Sequence, residues 1–268
     1  MGNEEALRAI LSGFGGAIVA YSGGADSAYL ADVAHEVLGA RMTAVTAVSP
    51  SLSRDERAQA AALARARGWA HEEVATDEIA RDAYRANGAD RCFHCKDTLF
   101  DVLDALAAER ASAVLVGTNL DDTGDFRPGQ RAARDHGVRA PLLDAELTKD
   151  EIRALSRARG LPTWDKPASA CLASRIAYGV EVTVERLERV ERAEAYLRAL
   201  GLTDQRVRDH GELARIEVRP ADIERVAGVR EVIADAFKDL GFTWVTLDLE
   251  GFRSGSMNEA LLRIGRKS

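Results

Sequence analysis

The sequence predicts an α/β protein, a doubly wound parallel sheet with a second, smaller α+β domain behind it. From the N-terminus to Arg159, short apolar runs alternate with helical patterns. The first apolar run, Ala17-Ile18-Val19-Ala20-Tyr21, feeds a glycine turn that opens a helix. Beyond Val182 the pattern changes to two short alternating segments, a helix and a final strand. At 268 residues the chain can bury one large core or two smaller ones.

Leu7 to Leu11 mark a short leading helix. Strand-like runs follow at Gly16–Ser22, Met42–Val48, His71–Ala75, Ala113–Gly117 and, more weakly, Ala140–Leu143. Helical patterns separate them at Ser27–Leu38, Arg54–Arg67, Cys92–Arg110 and Gln130–His136. This alternation predicts a parallel sheet covered on both faces. Thr148–Arg159 reads as a helix with a capping box, Thr148 and Glu151, and Gly160-Leu161-Pro162 ends it. The irregular stretch from Trp164 to Val182 carries Lys166, Cys171 and Arg175. A long helix, Val184–Leu200, stops at Gly201. Gln205–Arg208 and Ala214–Val218 alternate as strands, Ala221–Leu240 is a helix behind Pro220, and Thr243–Leu249 is the last strand. The expected domains are residues 1–175 and 176–268.

Hydrophobic residues make up 46% and charged residues 29%, the balance of a soluble globular chain. No apolar run approaches the roughly 18 residues of a membrane helix, and the acidic start Met1-Gly2-Asn3-Glu4-Glu5 lacks a signal-peptide pattern. A cytoplasmic protein is expected. The net charge of −7 argues against a broad nucleic-acid surface.

The turn after the first strand reads Ser22-Gly23-Gly24-Ala25-Asp26-Ser27. Two glycines let the backbone approach an anion closely. Ser22 and Ser27 add hydroxyls, and the helix N-terminus adds free N–H groups and partial positive charge. No Gly-Lys-Ser/Thr follows, so this is not a Walker loop. It resembles the SGGxDS signature of the PP-loop pyrophosphatases, which split ATP into AMP and pyrophosphate to activate an oxygen. The resemblance implies ATP held by Ser22, Gly23, Gly24, Asp26 and Ser27. In such sheets ligands lie beyond the strand ends, where connections diverge. The loop Gly117-Thr118-Asn119-Leu120-Asp121-Asp122-Thr123-Gly124-Asp125 is therefore the expected second wall, with Gly117, Thr118, Asn119 and Asp122 lining it. Asp121, Asp122 and Asp125, with Asp26, offer the hard oxygens that suit Mg²⁺ beside phosphate; the plain alternative is a solvated acidic turn.

Three cysteines, Cys92, Cys95 and Cys171, are too few and too odd in number for a disulfide framework. Cys92-Phe93-His94-Cys95 alone fits a redox pair or half a zinc site as well as a cluster. Cys171 sits in a proline-bounded loop of small residues flanked by Lys166 and Arg175. Those cations would favour its thiolate, against the plain reading of a small buried core cysteine. Arg206 and Arg208, two apart on a predicted strand, face one way and suit a phosphate or carboxylate. His35, His71, His136 and His210 show no ligand spacing and read as structural.

Taken with the glycine turn, Gly117 to Asp122, Lys166-Pro167-Ala168 through Cys171, Gln205-Arg206-Val207-Arg208 and Gly251 to Asn258 resemble the LarE family over nearly the whole chain. These sulfur transferases make the nickel-pincer cofactor of lactate racemase. The resemblance implies that ATP adenylates a carboxylate of pyridinium-3,5-biscarboxylic acid mononucleotide and that sulfur displaces AMP. It implies one of two sulfur sources: Cys171 itself, or a [4Fe–4S] cluster on Cys92, Cys95 and Cys171 that carries an extra sulfide. It further implies Ser174, Arg175, Glu194, Arg206, Arg208, Arg253 and Ser256 at the substrate, a homo-oligomer, and hand-off to a nickel-inserting cyclometallase. A tRNA thiolase would need a basic surface or an RNA-binding domain, and this chain shows neither. An amide-forming synthetase of the NAD or GMP synthetase kind needs no reactive cysteine. A non-catalytic nucleotide-sensing or nickel-binding module would release no pyrophosphate.

Overall fold

The computed structural model describes residues 2–124, 128–167, 170–253 and 257. The chain divides into two compact units, Met1–Glu78 with Cys92–Ser169, and Ile79–Arg91 with Ala170–Ser268.

The first unit opens with α1 (Asn3–Ser12), β1 (Ala17–Ala20), α2 (Ala25–Leu38), β2 (Met42–Val48), α3 (Arg54–Arg67) and β3 (Ala70–Ala75). Ser53 caps α3 by accepting from the Glu56 N–H at 3.2 Å, and Gly68 ends it with φ of 68°. After α4 (Asp82–Arg85), which belongs to the second unit, come α5 (Arg91–Arg110), β4 (Ala113–Leu115), α6 (Pro128–Asp135), α7 (Pro141–Asp144) and α8 (Lys149–Ala158). The strands form one parallel sheet in the order β3-β2-β1-β4, with Val19 beside Ala44 and Leu115.

Alternation along β1 explains the double covering. Val19 packs with Leu7, Leu11, Tyr29, Leu30 and Val33 on one face, while Ile18 packs with Val45, Leu99, Phe100 and Leu103 on the other. The connections from β1 lead to β2 on one side, and β4 lies on the other, so the carboxyl ends of β1 and β4 are the switch point of the sheet. The expected strand at Ala140–Leu143 is instead the short helix α7. Pro141 at its first position has no N–H for a ladder and presets a helical φ. The bridge that remains on that edge joins Leu115 to Arg139.

In the second unit α9 (Val184–Ala199) is followed by β5 (Arg206–Asp209), β6 (Leu213–Glu217), α10 (Ile223–Gly228), α11 (Arg230–Asp239) and β7 (Trp244–Leu247). β5 and β6 are antiparallel, β6 and β7 parallel, and Val207, Ile216, Leu197, Phe237 and Phe242 fill the core. The single helix expected over Ala221–Leu240 is two, because Gly228 favours a break and Val229, with φ −113° and ψ 24°, leaves helical geometry. Among the described residues no helix is long and apolar enough to cross a membrane.

Candidate active site

The turn after β1 is tied from within. Ser27 Oγ accepts from the Ser22 N–H at 3.3 Å, meets Ser22 Oγ at 3.1 Å and donates to the Gly24 carbonyl at 3.3 Å. Gly23 has φ of 75°, and a Cβ there would stand 3.1 Å from Ala60 Cβ. A Cβ on Gly117, just past β4, would stand 2.9 Å from the Ser27 nitrogen. Both glycines are therefore demanded by close packing, and the Gly117 loop touches the start of α2 as the switch-point geometry requires.

Asn119 is fully buried; its N–H donates to Asp122 Oδ2 at 3.2 Å and its Oδ1 accepts from the Asp121 N–H at 3.1 Å. Asp121 Oδ2 accepts from the Lys149 N–H at 2.6 Å. Asp26 Oδ1 and Asn119 Nδ2 are buried with no hydrogen-bond partner among the described residues. Burial pushes the Asp26 carboxyl up and Asp122 reinforces this, while Lys149, Arg153 and the neighbouring Asn119 side chain oppose it. Thr118 is half-buried beside them, and Asp125 lies outside the described residues.

Lys166 is engaged by polar groups of its own unit. Its Nζ donates to the Gly23 carbonyl at 3.2 Å, Glu56 Oε2 at 2.6 Å and Gln59 Oε1 at 3.2 Å, all within the first unit. It borders a cleft of about 270 Å³ between the Gly23 turn and α3, floored by Leu63 and Pro162.

Cys171 is exposed, and its backbone is held firmly. Its carbonyl accepts from Ser174 Oγ at 2.7 Å, the Ser174 N–H at 3.0 Å and Arg175 Nη1 at 3.0 Å; Arg175 also donates to the Ala170 carbonyl. Behind that turn Arg175 Nε donates to Glu194 Oε1 at 3.0 Å, and Arg208 donates to Glu217 Oε2 from Nε at 2.9 Å and Nη2 at 2.7 Å. Each of these arginines is matched by a buried glutamate. Glu194 sits inside rather than on a solvated face, and its Oε1 also accepts the Val207 N–H at 3.2 Å. Arg206 differs. It donates to the Gln205 carbonyl at 2.7 Å and lies 5.0 Å from the Phe252 ring centroid, and it forms no ion pair among the described residues. Burial pushes its pKa down, with Arg175 the next contributor. Arg208 adds to this lowering, and Glu194 and Asp204 oppose it. Arg253 is engaged by Glu250 at 2.8 Å, and Ser256 lies outside the described residues.

Residues that sequence patterns did not single out complete both sites. Glu217 stands on β6 opposite Arg206 and diagonal to Arg208, legible only once the register is known. Lys149 and Arg153 share one face of α8 by their i,i+4 spacing. Asn87, fully buried with φ of 54°, donates to the carbonyls of Ile176 at 3.2 Å, Ala177 at 2.8 Å and Val180 at 2.9 Å. Arg91 donates to Asn87 Oδ1 and, at 2.8 Å, to the Ala173 carbonyl. The segment 79–91 thus brackets the turn that follows Cys171.

Cys92 and Cys95 lie one turn apart near the start of α5, the first exposed and the second half-buried; none of the three cysteines is in a disulfide. Among the described residues no three His, Cys, Asp or Glu side chains converge as a metal centre.

No profile of a known protein family matches the chain. It is 38% identical over 247 residues to the pyridinium-3,5-bisthiocarboxylic acid mononucleotide synthase of Lactiplantibacillus plantarum, covering 91% of this chain and 90% of that protein. This chain belongs to the LarE family. LarE proteins are ATP-dependent sulfur transferases, and the parallel sheet with its glycine turn is the PP-loop scaffold expected of one. An uncharacterized protein of Synechocystis is 47% identical over 97% of this chain and 98% of its own length. An uncharacterized protein of Methanocaldococcus jannaschii is 31% identical over 88% and 90%.

Proposed function

We propose that the protein inserts sulfur into pyridinium-3,5-biscarboxylic acid mononucleotide, activating each carboxylate with ATP. The observation that carries this reading is the exposed Cys171 thiol on a clamped turn beside Arg206, an arginine without a carboxylate partner, in a chain that also bears the PP-loop. The Ser22–Ser27 turn and the start of α2 hold the triphosphate through main-chain N–H groups. A substrate carboxylate attacks the α-phosphorus, and pyrophosphate leaves. Adenylation replaces a poor leaving oxygen with AMP, so that a sulfur nucleophile can displace it. Arg206 receives the anionic groups of the substrate, and Ser174, Arg175 and Arg208 shape its seat.

Asp26 has an open buried oxygen, which suits Mg²⁺ beside phosphate, and Asp26 with Asp122 would hold it; bound there, the ion supplies charge neutralisation. Cys92, Cys95 and Cys171, none of them in a disulfide, are soft ligands of the type that holds iron–sulfur clusters, and they would ligate a [4Fe–4S] cluster. Such a cluster supplies an open iron for a replaceable sulfide. In a second reading Cys171 gives up its own sulfur.

The protein works in the cytoplasm as a homo-oligomer, takes no nucleic acid, and passes its product to a nickel-inserting cyclometallase. The decisive experiment uses Cys171→Ala and Cys92→Ser/Cys95→Ser, prepared without oxygen. Cys171→Ala is expected to retain ATP–pyrophosphate exchange with the dicarboxylate and to make no thiocarboxylate. Loss of sulfur insertion and of iron in the double variant supports the cluster. Full single-turnover insertion by iron-free double variant, with Cys171 lighter by one H₂S, supports the sacrificial route. Thiocarboxylate formation by Cys171→Ala would overturn both.

A further inference from the structure

We propose that Arg153, with Lys149 one turn before it, is the cation pair that holds the departing pyrophosphate; this rests on the nucleotide reading above. Several arginines of the first unit have an acidic partner. Arg67 and Arg159 share Asp32 at 2.7 and 2.6 Å, Arg57 meets Glu73 at 2.6 Å, and Arg110 meets Glu72 at 2.8 Å. Arg153 is different. It hydrogen-bonds to no described residue, and its Nε is buried without a partner. A guanidinium presents five donors in a fixed fork, and leaving one desolvated and unmatched is costly.

What stands nearby narrows the missing acceptor. Lys149 and Arg153 both act on Asp26, in the first turn of α2, and Asp122 acts on it too. The fully buried Asn119 adds a second donor, Nδ2, with no acceptor among the described residues. Asp26 and Asp122 stand with these two cations, and the buried Nε of Arg153 and Nδ2 of Asn119 are left to seek oxygens. A polyphosphate anion supplies several oxygens and the charge together.

The helix that carries these cations is anchored for the task. Asp32 of α2 accepts from Arg159, just past the end of α8, and Thr148 with Glu151 caps the beginning of α8. The Lys149 N–H is fixed by Asp121 at 2.6 Å. When the substrate carboxylate attacks the α-phosphorus, the bond from phosphorus to the bridging oxygen breaks. The electron pair leaves with pyrophosphate, whose charge grows by one. Preplaced N–H donors stabilise that growing charge without reorganising. AMP lacks the two outer phosphates and should be indifferent to Arg153.

The test is titration calorimetry of the full chain with Mg²⁺ and, separately, ATP, sodium pyrophosphate and AMP. Arg153→Met is expected to weaken pyrophosphate binding by about tenfold or more, to leave AMP binding essentially as in the wild type, and to be partly rescued in Arg153→Lys. Should Arg153→Met fold poorly, Lys149→Met carries the same pattern at roughly threefold or more. Unchanged pyrophosphate affinity in either variant overturns the proposal, as does an equal loss for AMP, which would mark a merely structural role. A wild-type chain that binds no ATP overturns the nucleotide reading itself, and that failure is visible before any substitution is made.

Discussion

Replacing Glu217 by Gln takes from Arg208 its buried counter-charge and leaves Arg215 the longer pair with Asp248, at 3.7 Å. Glu217 is fully buried; its Oε2 accepts two bonds from Arg208, at 2.9 and 2.7 Å, and its Oε1 accepts one from Arg215 at 2.8 Å. Gln keeps the volume and one acceptor, but turns an NH₂ toward an arginine fork. Removing one partner of a buried ion pair costs roughly 3–5 kcal/mol. The Arg215 side chain is 28% exposed, so water screens its share and the lower end, about 3–4 kcal/mol, is expected. Hydrogen exchange reads this locally, as a rise of roughly 10²–10³-fold in the opening equilibrium of β5 and β6 amides. Amides of β1 and β2, in the other unit, serve as the control and should not change. Arg208→Met with Glu217→Gln should recover about 2 kcal/mol of the sum of the two single losses. A single variant whose β5–β6 exchange stays within about threefold of wild type would refute the buried-pair reasoning.

Two more perturbations probe the first unit. Gly117→Ala places a methyl 2.9 Å from the Ser27 nitrogen and 3.0 Å from the Asp26 carbonyl carbon, backbone atoms that cannot rotate aside; ATP affinity by calorimetry should fall about tenfold or more, on an overpacking cost of roughly 1–3 kcal/mol. His136 meets Asp104 at 2.7 Å and Asp97 at 3.1 Å, and the Asp104 hydrogen bond leads in pulling its pKa up against burial. A raised folded-state pKa means the stabilisation is complete below the ordinary histidine value of about 6.5 and fades as pH rises through the raised one. The melting-temperature advantage of wild type over His136→Gln should therefore shrink above neutral pH, from a contribution under about 1 kcal/mol at this screened site; an advantage that grows with pH would contradict the assignment.

The elements of the first sheet were legible because each rests on local chemistry. An apolar run followed by Ser22-Gly23-Gly24 marks a strand and an anion turn, and Thr148 with Glu151 marks a helix start. Ala140–Leu143 misled because its apolar content outweighed Pro141, whose backbone decides the matter. Cys171 and the arginines around it were legible by residue type, but their charge balance was not. Sequence spacing makes Arg206 and Arg208 look equivalent, whereas Glu217, directly opposite Arg206 in the register, pairs diagonally with Arg208 instead. Arg153 was invisible for a related reason. An unpaired cation on a helix reads as surface until the carboxylate it faces is known.

The bracket formed by Asn87 and Arg91 has a consequence for how the molecule is made. Its acceptors lie 82 to 93 residues downstream. On the ribosome, Ile79–Arg91 emerges early and waits with its donors unmet while the rest of the parallel sheet is synthesised. The turn behind Cys171 is then moulded on a template laid down long before it. A fragment beginning at Ala170 would lack that template, so the Cys171 thiol cannot be excised with its surroundings as one continuous piece.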